Sequence, residues 1–288
     1  MKILITGING LLGSTLAIVL KNNNHKVCGL DADITSRVKV LEYKNNKFDY
    51  IIHSAAKTNV AYCENNPREC YAVNVIGTRN VRDLAHKTGA RLIHISTASV
   101  FSGNEGNYKE TEVPYPRNFY NISKVLAEEA VSEYAKGLIL RINLIGIHPM
   151  KGSRGLNFFE WLINSIETNK DMNLFKDIFI NPLSNWTLAE LVEEIVKIKP
   201  KEKILHLGTR NRLSKARIGQ IAIKHFKKYA GQIKIISSDE VNAPTGPKQM
   251  WLNTDYAQKK LGLKMPGLES EIRKILNHYD LYLANKNR

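Results

Sequence analysis

Apolar and polar positions along this chain fall into short runs that alternate in kind. Lys2–Thr6 is apolar and bounded by glycine, as a buried strand is. From Leu11 onward, Leu12, Leu16, Ile18, Val19 and Leu20 recur with helical spacing until the polar break at Asn22–His25. Lys26–Leu30 reads as a second strand ending at Asp31, and Asp49–Ala56, Arg91–Thr97 and Gly137–Gly146 as further strands. Glu69–His86 contains a helix, and another runs from Tyr120 through Val125, Leu126, Ala130 and Tyr134. Strands alternating with helices predict an α/β fold with a doubly wound parallel sheet over residues 1–146.

Past His148 and Pro149 the texture changes. Met150–Gly155 is polar and contains glycine, as a loop over a cleft would. Leu156–Thr168 is an amphipathic helix whose Phe158, Phe159, Trp161, Leu162 and Ile166 form a core face, with stacking on a base as the alternative use. A helix at Leu188–Ile198, a strand at Ile204–Gly208, a helix over Ser214–Tyr229, a strand at Ile233–Ile236 and a helix at Gly267–Leu283 complete the chain.

The first turn carries Gly7, Gly10 and Gly13 between a strand and a helix, the setting a dinucleotide fingerprint requires. Gly7 permits the turn, Gly10 lets backbone approach a diphosphate, and Gly13 lets helix pack closely on strand. The helix start offers N–H groups and a positive dipole to phosphates. This predicts a Rossmann-type cofactor domain. Asp31 is placed to bond ribose hydroxyls and repel a 2′-phosphate, with Asp33 competing for that place, whereas Arg37 and Lys39 would welcome a phosphate. NAD is therefore weakly favoured over NADP. Ligands of open parallel sheets bind at the carboxyl ends of strands, where Ala55, Ala56 and the hydroxyls of Ser96 and Thr97 lie. Tyr120 and Lys124, four apart on a helix, share one face. The lysine cation is expected to lower the tyrosine pKa and fit it for acid–base work.

These residues resemble the extended short-chain dehydrogenase/reductases. The order is Gly7-x-x-Gly10-x-x-Gly13, Ala55-Ala56, Thr97, Tyr120-x-x-x-Lys124 and Arg141-x-Asn143. Ile95–Phe101 and Asn74–Val81 are most similar to the dTDP-4-dehydrorhamnose reductases and related sugar-nucleotide reductases. The resemblance implies that Tyr120 donates a proton to a sugar carbonyl, that Lys124 holds the ribose and that Thr97 bonds the carbonyl oxygen. It implies a cofactor held by Gly7, Asn9, Gly10, Leu11, Leu12, Gly13, Asp31, Asp33, Ile34, Ser54, Ala55, Ala56, Lys57, Tyr120 and Lys124. It further implies a cofactor domain at 1–149 to which 182–208 returns, and a discontinuous substrate-binding lobe at 150–181 and 209–288. Three features depart from that group. Ala98-Ser99 supplies no carboxylate for dehydration, Val60-Ala61 stands where the group often has Val-Asp, and Gly246-Pro247 stands where it commonly has Arg-Pro. The expected activity is reduction of a 4-keto-6-deoxy nucleotide sugar. The alternatives are a nucleotide-sugar epimerase and a cofactor-binding regulatory subunit without turnover.

Composition adds limits. A chain of 288 residues suits one α/β domain plus a smaller lobe, and 43% hydrophobic residues is ordinary for a soluble protein. No apolar run approaches the roughly 18 residues of a spanning helix, and Met1 leads straight into a strand, so no signal peptide is expected and the location is cytoplasmic. The three cysteines, Cys28, Cys63 and Cys70, have no ligand spacing and read as free thiols. His53 and His94 read as core or cleft residues, and no metal is expected. The net charge of +15 is spread along the chain without a nucleic-acid module and suits solubility and modest steering of diphosphates. The expected partner is a nucleotide sugar, with no nucleic acid and no membrane; a homodimer is allowed.

Overall fold

A computed structural model describes residues 1–148, 157–226, 229–241 and 247–286. The loop expected at Met150–Gly155 lies outside these residues, as does Gly246. The chain divides into two compact units: residues 1–102, 110–142 and 189–206, and residues 103–109, 143–188 and 207–288.

The first unit holds β1 (Lys2–Thr6), β2 (Lys26–Gly29), β3 (Tyr50–His53), β4 (Arg91–Ile95) and β5 (Gly137–Ile142). With a strand at Ile204–Leu207 they form one six-stranded parallel sheet, ordered from that strand through β5, β4, β3 and β1 to β2. From β1 the chain passes to β2 on one side and then to β3 on the other, so the carboxyl ends of β1 and β3 flank the topological switch point. Ile3, Leu4, Ile5, Ile51, Ile52, Leu92 and Ile93 are at most 1% exposed, because helices cover both faces of a parallel sheet. Each such side chain contributes about 1.5–3 kcal/mol by burial. The helices are α1 (Leu11–Asn22), α2 (Arg37–Leu41), α3 (Val60–Asn65), α4 (Pro67–Tyr71), α5 (Gly77–Thr88) and α6 (Phe119–Ser132). Val81 and Leu84 of α5 and Val131 of α6 pack with Leu92 and Ile139 in one core. The helix expected within Glu69–His86 is α4 and α5 joined by a π-helical turn at Ala72–Ile76. Such turns recur at functional sites.

The second unit has its own core, in which Phe159, Leu162, Leu174, Ile218, Leu268 and Ile272 meet. Helices Phe158–Glu167, Lys215–His225 and Leu268–Lys286 supply most of it. Asn157 and Glu160 close a capping box at the first of these helices, and Ser214 accepts from the Arg217 N–H at the second. That second helix is shorter than the sequence predicts, ending at His225, and residues 227–228 lie outside the described set. Ile233–Ile236 pairs in parallel with Met172–Phe175. The strand expected over Gly137–Gly146 also divides: β5 stops at Ile142, and Leu144–Ile145 pairs with Leu183–Ser184. Asn143 marks the break. Its side-chain amide donates to the Met250 carbonyl at 2.7 Å and its own carbonyl accepts from the Leu183 N–H at 3.0 Å, so both are committed outside the first sheet.

Candidate active site

The site is built at the switch point. β1 ends at Thr6, and Gly7 turns the chain with φ of +67°, a left-handed value that favours glycine. A Cβ on Gly7 would stand 2.8 Å from Ala55 backbone, so the loop after β3 lies directly on the turn. A Cβ on Gly13 would stand 2.1 Å from the Gly7 carbonyl oxygen. α1 starts behind Gly10 with no side-chain cap, which leaves its first-turn N–H groups without a side-chain acceptor. The cavity beside them has a volume of about 370 Å³ and is lined by Gly7–Gly10, by Leu30 and Ala32–Ile34 after β2, and by Ala55–Lys57 and Val73. Open backbone at a helix start suits a diphosphate.

The two acids expected near a ribose occupy different places. Asp31 is exposed and does not line the cavity, whereas Asp33 lines it. Asp33 Oδ1 accepts from the Thr35 N–H at 2.9 Å and the Thr35 hydroxyl at 2.8 Å, and these bonds hold the carboxyl below the usual range. Ile34 reaches the cavity because Gly77 has no side chain; a Cβ there would stand 2.6 Å from Ile34 Cδ1. Leu11, Leu12 and Gly13 sit in α1 outside the lining, and Ser54 donates to the Thr6 carbonyl at 2.7 Å, tying β3 to β1.

At the end of β4, Thr97 hydrogen-bonds the Tyr120 phenol, and Lys124 Nζ donates to the Ile95 carbonyl at 2.8 Å. α6 presents both Tyr120 and Lys124 from its first turns, which Asn118 caps by accepting the Asn121 N–H at 2.8 Å. The expected lowering of the Tyr120 pKa is not found. Burial raises it, Thr97 opposes that rise, and Cys63 and Cys70 beside the ring add to it. Lys124 is itself pulled down to about 8 by burial, with Glu128 and Cys70 working the other way. Burial therefore outweighs the pairing of the two groups that their spacing implied.

Several residues of the sequence motifs have partners here that the sequence did not assign them. Asn74, in the π-helical turn, accepts from the Lys57 N–H at 2.8 Å and donates to the Lys57 carbonyl at 3.0 Å and Ser123 Oγ at 2.9 Å. It thus ties one wall of the cavity to α6. Arg141 grips Glu128 with bonds of 3.1, 3.1 and 2.7 Å, both residues being buried, and Ser96 donates to the same carboxylate. Thr6, His53 and His94 are register partners across β1, β3 and β4. Thr78 Oγ1 donates to the Asn74 carbonyl, so it accepts from His53 Nε2, which leaves His53 Nδ1 to accept from Thr6 at 2.6 Å. Burial holds His53 neutral, its pKa lowered to about 3. His94 stands 5.2 Å from His53 between ring centroids; its Nε2 faces Lys124 Nζ at 3.1 Å, and its buried Nδ1 has no protein partner among the described residues. A buried N–H left without a partner costs about 1–3 kcal/mol. Strand register, invisible in local spacing, brings these groups together.

Residues 1–281 match the family described as RmlD substrate binding domain. The chain is 26% identical over 293 residues to a probable low-salt glycan biosynthesis reductase of Haloferax volcanii, covering 93% of this chain and 95% of that protein. It is 29% identical over 203 residues to a dTDP-4-dehydrorhamnose reductase of Aggregatibacter actinomycetemcomitans, covering 68% of this chain and 67% of that one. A crystal structure of a dTDP-4-dehydrorhamnose reductase from Bacillus anthracis in complex with NADP matches with a TM-score of 0.87 at 26% identity, covering 96% of this chain and 99% of that chain.

Proposed function

The chain belongs to the RmlD substrate binding domain family, and from that premise we propose that it reduces the keto group of a 4-keto-6-deoxy nucleotide sugar. It is an NAD(P)-dependent oxidoreductase. The observation that carries the finer reading is the meeting of Thr97, Tyr120 and Lys124 at the end of β4, beside the strand whose terminal loop lines the cavity.

The turn at Gly7–Gly10 and the uncapped start of α1 hold the diphosphate, and Ala55, Ala56 and Lys57 form the opposite wall. When bound, the nicotinamide supplies the hydride. Tyr120 gives its phenolic proton to the carbonyl oxygen, and Thr97 turns its hydroxyl to the same oxygen. A raised tyrosine pKa suits this direction, because the proton stays on Tyr120 at neutral pH until the oxygen becomes basic enough to take it. The Lys124 ammonium binds the ribose and favours the negative charge left on Tyr120. The ionised Asp33 carboxylate at the cavity favours a ribose hydroxyl over a 2′-phosphate, hence NADH over NADPH.

The test is consumption of NADH and NADPH with a dTDP-4-keto-6-deoxy sugar, wild type beside Tyr120→Phe. Turnover should fall by at least about 100-fold in the variant, the scale of a lost general acid, while cofactor binding is unchanged. Tyr120-dependent isomerisation without net consumption would replace the reading with an epimerase. Cofactor binding with no Tyr120-dependent chemistry would replace it with a regulatory subunit.

A further inference from the structure

We propose that His94 is a positioning residue that holds the Lys124 ammonium in place through its neutral Nε2. Lys124 Nζ has two anchors, the Ile95 carbonyl at 2.8 Å and His94 Nε2 at 3.1 Å. An ammonium carries only donors, so Nε2 must be the acceptor and the proton of His94 must sit on Nδ1. That Nδ1 is buried without a protein partner among the described residues. A leucine in this place would avoid an unpartnered donor. What the imidazole adds is an acceptor at the lysine, fixing two of its N–H directions and leaving the third for the ribose.

The surroundings keep His94 in that state. It is 1% exposed, and burial holds its pKa well below the usual histidine value, with the Lys124 charge adding to the effect. The titratable groups facing Lys124 are His94 on β4, Glu128 on its own helix and Cys70 on α4, with His53 on β3 behind His94. Among them only His94 bonds Lys124 Nζ. His53 cannot take over, because Thr6 and Thr78 occupy both its nitrogens. The same two bonds fix the opposite tautomer in His53, with its proton on Nε2.

The role in turnover rests on the reductase reading, but the bond itself does not, so the decisive measurement needs no substrate. Long-range ¹H–¹⁵N spectra of the full chain labelled at histidine should show His94 protonated at Nδ1 and His53 at Nε2 at neutral pH. A ¹³C titration of labelled lysine, with Lys124 assigned by its loss in Lys124→Arg, should then compare three proteins. His94→Leu keeps the burial but removes the acceptor, and should lower the Lys124 midpoint by about one unit, a tenfold change in its ionisation constant. His94→Gln retains an acceptor and should stay near wild type. The alkaline limb of kcat/KM for the cofactor should move with the midpoint in His94→Leu and return in His94→Gln. A Lys124 midpoint unchanged or raised in His94→Leu, or a His94 proton on Nε2, overturns the proposal. If His94→Leu does not fold, the tautomer and the Gln variant decide it. Absent turnover in wild type would overturn the reductase reading alone, leaving the titration to judge His94.

Discussion

Lys124 is charged below about pH 8 and loses its charge above, because burial depresses a group whose ordinary value is 10.5. Tyr120 moves the opposite way, so its proton is retained through that range. Of the two, the lysine sets the alkaline limit. Because kcat/KM for the cofactor reports the free protein, it should be flat near neutrality and fall about tenfold per unit once pH exceeds about 8, in a stopped-flow series with NADH. A profile flat to pH 10 would remove Lys124 from cofactor binding. The contribution of Lys124 to stability runs the other way. Between about 8 and 10.5 the unfolded chain binds more protons at this residue than the folded one, so this term rises with pH while activity falls. At this scale the four-residue spacing of Tyr120 and Lys124 was legible, since a helix puts such residues on one face. The sign of the tyrosine shift was not. It depends on burial by Cys63 and Cys70 from α3 and α4, which no local spacing reports.

The elements whose pattern is strong were legible for a physical reason. β1 and α1 carry their apolar periods over whole lengths, and of the glycines between them Gly7 is required by its left-handed φ and Gly13 by contacts internal to that one turn. Gly13 tests how tight this is. The nearest atom to a Cβ there is a backbone carbonyl oxygen at 2.1 Å, which cannot turn aside as a side chain would. Gly13→Ala should therefore force α1 off β1, lowering stability by about 1–3 kcal/mol, the usual cost of overpacking, read as a lower urea midpoint. It should also weaken NADH binding by at least about tenfold in a fluorescence titration, because the start of α1 moves with the helix. Unchanged affinity would place the diphosphate elsewhere. Less regular elements escaped the sequence. The π-helical turn at Ala72–Ile76 is set by Asn74 reaching Lys57 and Ser123, and the end of β5 by Asn143 bonding to Met250 and Leu183. Two-residue strands such as Leu183–Ser184 have too few positions to show any period.

For the whole molecule, the alternation of strands and helices was enough to fix the parallel sheet, whereas the membership of residues 103–109 in the second unit depends on contacts far along the chain, such as Gln249 bonding to the Gly103 carbonyl. Among the described residues no helix is long and apolar enough to cross a membrane. The charge of +15 belongs to this scale, being spread over 42 basic residues rather than gathered in one motif. A diffuse positive field acts on encounter more than on chemistry, and salt screens it with a Debye length of about 10 Å at 0.1 M. Both proposed ligands carry a diphosphate. Raising potassium chloride from about 0.05 to 0.5 M should therefore slow association of the cofactor and raise KM for the nucleotide sugar, with kcat nearly constant. Sucrose at matched osmolarity separates charge from hydration and should leave KM unmoved. If kcat falls with salt while KM stays constant, the charge acts at the reacting groups instead. The pairs that would then matter are the buried ones, Glu128 with Arg141 above all, since exposed charges are screened first.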